Sequence, residues 1–164
     1  MTLGAICKWM IAKRLFETKA TNQQSKHCAS ILVNGKVIFY GENHNRGSGR
    51  SCHAELDAIK KFNNRVIKRF DLLVLCITNS GKLRNSKPCS HCLIRIQKLC
   101  GCRIRNILYS TNEDLVVSQK FSKLENHHIT RGNLTIELIF CLARGRKWDS
   151  SWGLRENCFL LLFF

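Results

Sequence analysis

With 164 residues, 45% of them apolar, the chain is long enough for one hydrophobic core and short for two. A globule of this length buries roughly 68–70% of its unfolded surface and needs no disulfide staples to fold, and the composition excludes a disordered or collagen-like chain. Lys plus Arg number 27 against 11 Asp plus Glu, a formal charge of +16, which suits polyanions or phosphorylated substrates through steering and counterion release. The basic residues are spread rather than blocked, so solubility explains them equally well.

The apolar run Phe159 to Phe164 is far short of the ~20 residues a membrane span needs. Met1 to Leu15 is broken by Lys8, Lys13 and Arg14 and holds no signal-peptide core. The expectation is a cytoplasmic or nuclear protein without a membrane partner. In such a reducing compartment the ten cysteines read as thiols or metal ligands.

In chain order, Leu3 to Phe16 carries apolar residues at 3, 6, 10, 11 and 15, the spacing of an amphipathic helix. Ala29 to Val33 and Lys36 to Gly41 are β-prone runs around Asn34-Gly35, a dipeptide that accepts positive φ at both positions and so predicts a tight hairpin. Asn45 to Ser51 reads as a Gly/Arg/Ser loop, and Cys52 to about Phe62 as a helix with apolar positions 56, 59 and 62. Leu72 to Ile77 is continuously apolar, as expected of a strand covered on both faces. Pro88, the only proline, stands where a helix can start, with 93, 96 and 100 on one apolar face behind it. Arg105 to Tyr109 reads as a further strand, Leu134 to Phe140 as strand or helix, and no element is assigned from Arg144 onward. A strand pair, helix, strand, helix and strand together predict a three-layer α/β sandwich.

Two short segments carry chemistry: His53-Ala54-Glu55 and Pro88-Cys89-Ser90-His91-Cys92. Cysteines three apart share a helix face, so Cys89 and Cys92 can bind one ion, in a first turn whose free N–H groups and dipole favour thiolates. His53 adds a nitrogen ligand and leaves a fourth position open, the mark of a catalytic rather than a structural zinc site. Two thiolates acidify a zinc-bound water less than three imidazoles would, so a carboxylate beside the metal, Glu55, can take and return the proton. Residues two apart do not share a helix face. His53 is therefore expected at the irregular start of its helix, with small Ala54 allowing close backbone approach.

Taken together, His53-Ala54-Glu55 and Pro88-Cys89-x-x-Cys92 resemble the zinc-dependent cytidine and deoxycytidylate deaminase superfamily over roughly residues 28–112. The stretch between the two segments is long for that family, which predicts an extended loop over Ser80 to Ser86. The resemblance implies an α/β/α sandwich with a central mixed sheet, His53, Cys89 and Cys92 on Zn²⁺, and Glu55 as the proton shuttle. It implies attack of water on the amino-bearing carbon of a base and loss of ammonia. It further implies that Asn43 holds the substrate's sugar or base, although an asparagine ending a strand in a turn is common in itself. The domains expected are an N-terminal helix packing on the core at 1–27, a CMP/dCMP-type deaminase domain at 28–143, and an apolar tail at 144–164.

The remaining candidates each have a plainer explanation. The loop arginines Arg46 and Arg50 can pair with a phosphate, beside glycines that let the backbone approach; equally, the loop is simply solvated. Cys100 and Cys102 with Cys89 and Cys92 could close a four-cysteine site in a binding module, but Cys100 lies on the apolar face of its helix and His53-Ala54-Glu55 is then unexplained. Cys52 reads as a bystander thiol, His91 and His127-His128 as surface, and Cys7, Cys28, Cys76, Cys141 and Cys158 as core. Tyr109 either stacks on a base or is a half-buried strand tyrosine. The apolar tail can cover a sheet edge or mediate homo-oligomerisation. No metal-binding insertion separates Asn43 from His53. The expected activity is hydrolytic deamination of cytosine in a nucleoside or nucleotide. The alternatives are deamination of RNA or DNA at an unpaired base, favoured by the charge, and a non-catalytic zinc-binding subunit.

Overall fold

The computed structural model describes residues 2–17, 26–46, 50–62 and 67–124, with the side chains at 17, 45, 46, 50 and 51 outside that description. The first helix, α1, spans Leu3–Glu17. Strands β1 (Lys26–Val33) and β2 (Lys36–Glu42) follow, joined at Asn34-Gly35, where φ is 49° and 71°. Both residues take the left-handed region the dipeptide predicted. Next come the short strands β3 (His44–Arg46) and β4 (Arg50–Cys52), then helix α2 (Ala54–Lys61). The remainder is β5 (Phe70–Ile77), β6 (Leu83–Arg84), α3 (Ser90–Cys100), β7 (Ile104–Ser110) and β8 (Val116–Lys120).

The main sheet runs β2-β1-β5-β7-β8, with β6 paired to the end of β5. The β5–β7 pair is parallel and its neighbours antiparallel, so the sheet is mixed. α3 is the crossover between the two parallel strands. Successive side chains of β5 point to opposite faces of the sheet, and both faces are buried. Leu72 and Val74 join the cluster under α2 and α3, with Ala54, Ile59, Cys92 and Ile96. Leu73, Leu75 and Ile77 join the opposite cluster with Ile6 and Met10 of α1. This is the three-layer α/β/α sandwich, and it explains why β5 reads as one apolar run.

Gly41 sets how closely α2 approaches the sheet. A Cβ there would stand 2.3 Å from the Ala58 backbone nitrogen and 2.6 Å from the Ala54 carbonyl, so only hydrogen fits.

Three expectations change. The Asn45–Ser51 segment contributes to a small hairpin, with His44 registered on Cys52 and Arg46 on Arg50. The Ser80–Ser86 stretch contains β6 after a turn in which the Thr78 N–H donates to the Lys82 carbonyl at 2.9 Å. Pro88 precedes the helix cap instead of opening the helix, because Cys89 occupies the N-cap of α3. The segment Leu134–Phe140, Cys141, Cys158, His127-His128 and the apolar tail lie outside the described residues. Among the described residues, no helix is long and apolar enough to cross a membrane.

Candidate metal and catalytic centre

Two helix N-termini converge on the site. His53 is the N-cap of α2 (φ −74°, ψ 148°) and Cys89 the N-cap of α3 (φ −69°, ψ 162°). Both are extended, and their carbonyls accept the first helical bonds from Asp57 and Leu93, at 3.1 and 3.0 Å. Neither side chain caps its own helix. Positions that ordinarily carry Ser, Thr, Asp or Asn are given over to an imidazole and a thiol pointing at each other. His53 thus stands at the start of its helix, where residues two apart can both reach the site.

His53 Nδ1 lies 3.6 Å from Cys89 Sγ and 3.2 Å from Cys92 Sγ, and the three ligand atoms all lie within 4.8 Å of one another. Tetrahedral zinc with ordinary Zn–N and Zn–S bonds would place such atoms about 3.5–3.8 Å apart. The group fits the ion in donor chemistry and in spacing, and could hold it.

Cys89 is held far below the ordinary thiol range, to about 4, first by a hydrogen bond from Cys92 and then by His53. The same bond, with burial, pushes Cys92 up. The hydrogen bond to Cys89 raises the proton affinity of His53. Glu55, on the first turn of α2, is 5% exposed. Burial raises its pKa, although its own backbone N–H, then the charge of His53, and least the Cys92 thiol, partly oppose this. A carboxyl that favours its proton therefore sits against the ligand group.

Asn43 follows β2 and is clipped to β1. Its N–H donates to the His27 carbonyl at 3.2 Å, and its Oδ1 accepts the His27 N–H at 2.9 Å. Arg14 of α1, 3% exposed, donates through Nη2 to Asn43 Oδ1 at 2.8 Å and to the Asn43 carbonyl at 3.1 Å, and pairs through Nη1 with Glu42. His27 also belongs to this neighbourhood. Burial, then the charges of His53 and Arg14, lower its pKa to about 4. Neither Arg14 nor His27 stood out in the sequence. An arginine among the polar residues of an amphipathic helix gives no sign that it is buried.

The four-cysteine arrangement does not form. Cys100 donates to the Ile96 carbonyl in the core, where burial pushes its thiol up to about 11, and Cys102 is exposed. Cys28 and Cys76 are buried and Cys7 half-buried. Tyr109 is a half-buried strand tyrosine whose hydroxyl donates to Gln119 Oε1 at 3.3 Å. The side chains of Arg46 and Arg50 lie outside the described residues. Cys52 is not isolated, since it faces His44 and Asp57.

Residues 6–111 match the model of the cytidine and deoxycytidylate deaminase zinc-binding region. Among solved structures, a cytidine deaminase from Burkholderia pseudomallei is 20% identical with a TM-score of 0.55, over 74% of this chain and 94% of its own. A cytidine deaminase from Mycobacterium leprae is 18% identical with a TM-score of 0.51, over 75% of this chain and 97% of its own. A dCMP deaminase from the cyanophage S-TIM5, solved with dCMP and dUMP, is 16% identical with a TM-score of 0.42, over 66% and 83%. No curated protein matches the chain. With more than half its length matched by the family model, the chain belongs to the cytidine and deoxycytidylate deaminase zinc-binding family.

Proposed function

We propose that the protein is a zinc-dependent hydrolytic deaminase of an amino-bearing nucleobase, cytosine in a nucleoside or nucleotide. The observation that carries this is Glu55, a buried carboxyl two residues from His53 on the first turn of α2, with burial favouring its protonated form, beside three clustered metal-ligand side chains. A structural site needs no such group. His53 Nδ1, Cys89 Sγ and Cys92 Sγ are the ligands. When bound there, zinc supplies Lewis-acid activation of water at its fourth position.

Glu55 takes the protons of the attacking water in turn and passes one to the adjacent ring nitrogen and one to the amino group, so that a carbonyl oxygen replaces the amine, which leaves as ammonia. Its raised pKa suits a group that must hold a proton between those steps. The converging N-termini of α2 and α3 stabilise the negative charge on the thiolates. Asn43, held by Arg14 and by the His27 backbone, is the substrate-positioning residue.

The test is ammonia release by zinc-loaded protein from cytidine, deoxycytidine, CMP and dCMP, with Glu55→Gln as control. The expected result is turnover of one of these, reduced by at least ~100-fold in the variant with zinc retained. Turnover untouched by Glu55→Gln overturns the assignment. The formal charge of +16 favours a second reading, in which the base is presented on RNA or DNA. Activity on single-stranded DNA or tRNA alone, weakening steeply with salt, selects that reading.

A further inference from the structure

A second group of side chains that could hold a metal ion is formed by residues outside the first. His44 of β3, Cys52 of β4 and Asp57 of α2 each offer one ligand atom, and these atoms all lie within 4.8 Å of one another. We infer that His44, Cys52 and Asp57 form a second zinc site, which ties the β3–β4 hairpin to α2 beside the catalytic centre. The inference does not depend on the deaminase reading, since it involves neither Glu55 nor a substrate.

Three features of the group point to a cation. First, His44 keeps one ring nitrogen available as a ligand. Its Nδ1 lies 3.2 Å from the Glu42 carbonyl, and a carbonyl can only accept, so Nδ1 carries the hydrogen. In the neutral ring Nε2 then bears the free lone pair, the arrangement that metal-binding histidines share. Second, Asp57 is anchored through one oxygen only. Its Oδ2 accepts the Glu42 N–H at 3.2 Å and the Lys61 ammonium at 2.7 Å. Among the described residues Oδ1 has no hydrogen-bond partner and can serve as ligand. Third, Cys52 and Asp57 are both buried, each 7% exposed, yet they belong to different elements that a shared ion would hold together.

The donor set chooses the metal. Nitrogen, thiolate sulfur and carboxylate oxygen suit Zn²⁺, whereas Mg²⁺ and Ca²⁺ take oxygen alone. One thiolate and one carboxylate balance the dication, and water completes a four-coordinate shell. Binding releases the Cys52 thiol proton to solvent. The site needs no inserted segment. It comes from the register that puts His44 opposite Cys52 and from one turn of α2, which carries Asp57 back towards the hairpin. Because Cys52 directly precedes His53, the second ion would also stiffen the backbone that presents the catalytic histidine.

The test is metal content of the full-length protein, expressed with zinc and desalted, against protein concentration. The expectation is about two zinc ions per chain in the unaltered protein and about one each in Cys52→Ala and His44→Gln. Cys89→Ser should also hold about one, now in the second site. Cobalt-loaded Cys89→Ser should show a thiolate-to-cobalt absorption band that disappears when Cys52→Ala is added. Alanine fits the place of Cys52 in the core, and His44→Gln, on the hairpin, serves if that variant does not fold. A single zinc in the unaltered protein, lost only with Cys89→Ser, overturns the inference. So does a second zinc that survives both Cys52→Ala and His44→Gln.

Discussion

The hydroxyl oxygens of Ser86, on the chain that leads into α3, and of Ser110, at the end of β7, lie 2.9 Å apart in the protein interior. Ser86 donates to the Val74 carbonyl at 2.8 Å, and Ser110 to the Arg84 carbonyl at 2.5 Å. The Cys76 N–H reaches Ser110 Oγ at 3.1 Å, and the Ser110 N–H reaches Ser86 Oγ at 2.9 Å. Two small hydroxyls thus satisfy the backbone where β6 leaves the sheet and β7 ends. Cys89 follows three residues after Ser86, so this clasp fixes the point from which the cysteine is presented. Ser110→Ala removes acceptor and donor together and leaves the buried Cys76 N–H unpaired. The expected cost is about 1–3 kcal/mol, read as a lower urea midpoint with unchanged slope. An unchanged midpoint would show that the clasp contributes nothing.

Gly41 makes a sharper prediction. Its missing Cβ would fall on backbone atoms of α2, at 2.3 and 2.6 Å, and backbone cannot swing aside as a side chain can. Gly41→Ala must push α2 off β2, and α2 carries both His53 and Glu55. The expected destabilisation is about 2–3 kcal/mol, at the upper end for overpacking, with weaker zinc retention during dialysis. Wild-type zinc retention together with wild-type stability would contradict the close approach.

How much of this was legible depended on whether the information was local. His53-Ala54-Glu55 and Cys89-x-x-Cys92 are short segments whose chemistry needs fixed spacing, so residue types alone located the ligand group and its carboxyl. Asn34-Gly35 and the apolar run of β5 were legible for the same reason, because a dihedral preference and two-sided burial leave marks on neighbouring residues. The β3–β4 hairpin was not legible. Its strands are three residues each, too short for alternation to show, and polar residues dominate them. β8 was missed because it is an edge strand, half-exposed throughout, whose two valines look like any surface pair. Arg14 on Asn43 depends on how distant elements dock, which no local pattern encodes.

The Arg14–Asn43 contact predicts a separation of kinetic effects. Arg14 holds the Asn43 carboxamide through Oδ1 and the adjacent carbonyl. Arg14→Gln should therefore loosen Asn43 and raise KM roughly 10-fold, about 1.4 kcal/mol of uniform binding, with kcat changed little. Asn43→Ala should raise KM at least as much, and the double variant no further, since the two act as one unit. A loss confined to kcat in Arg14→Gln would place the arginine in the chemical step instead.

His27 predicts how stability responds to acid. Burial, reinforced by the charges of His53 and Arg14, lowers its pKa from 6.5 to about 4. The unfolded chain therefore binds a proton near pH 6.5 that the folded chain refuses until about pH 4. Unfolding free energy rises with pH wherever the unfolded state binds more protons. The contribution of neutral His27 is thus fully present above pH 6.5 and is lost progressively as pH falls to about 4, a change on the order of 3 kcal/mol. His27→Gln removes the titration without removing the backbone bonds to Asn43. Its urea midpoint should fall less steeply across that window than the wild-type midpoint. If the two profiles run parallel from pH 6.5 to 4, the proton is taken up elsewhere and His27 is not the group that sets the acid limit.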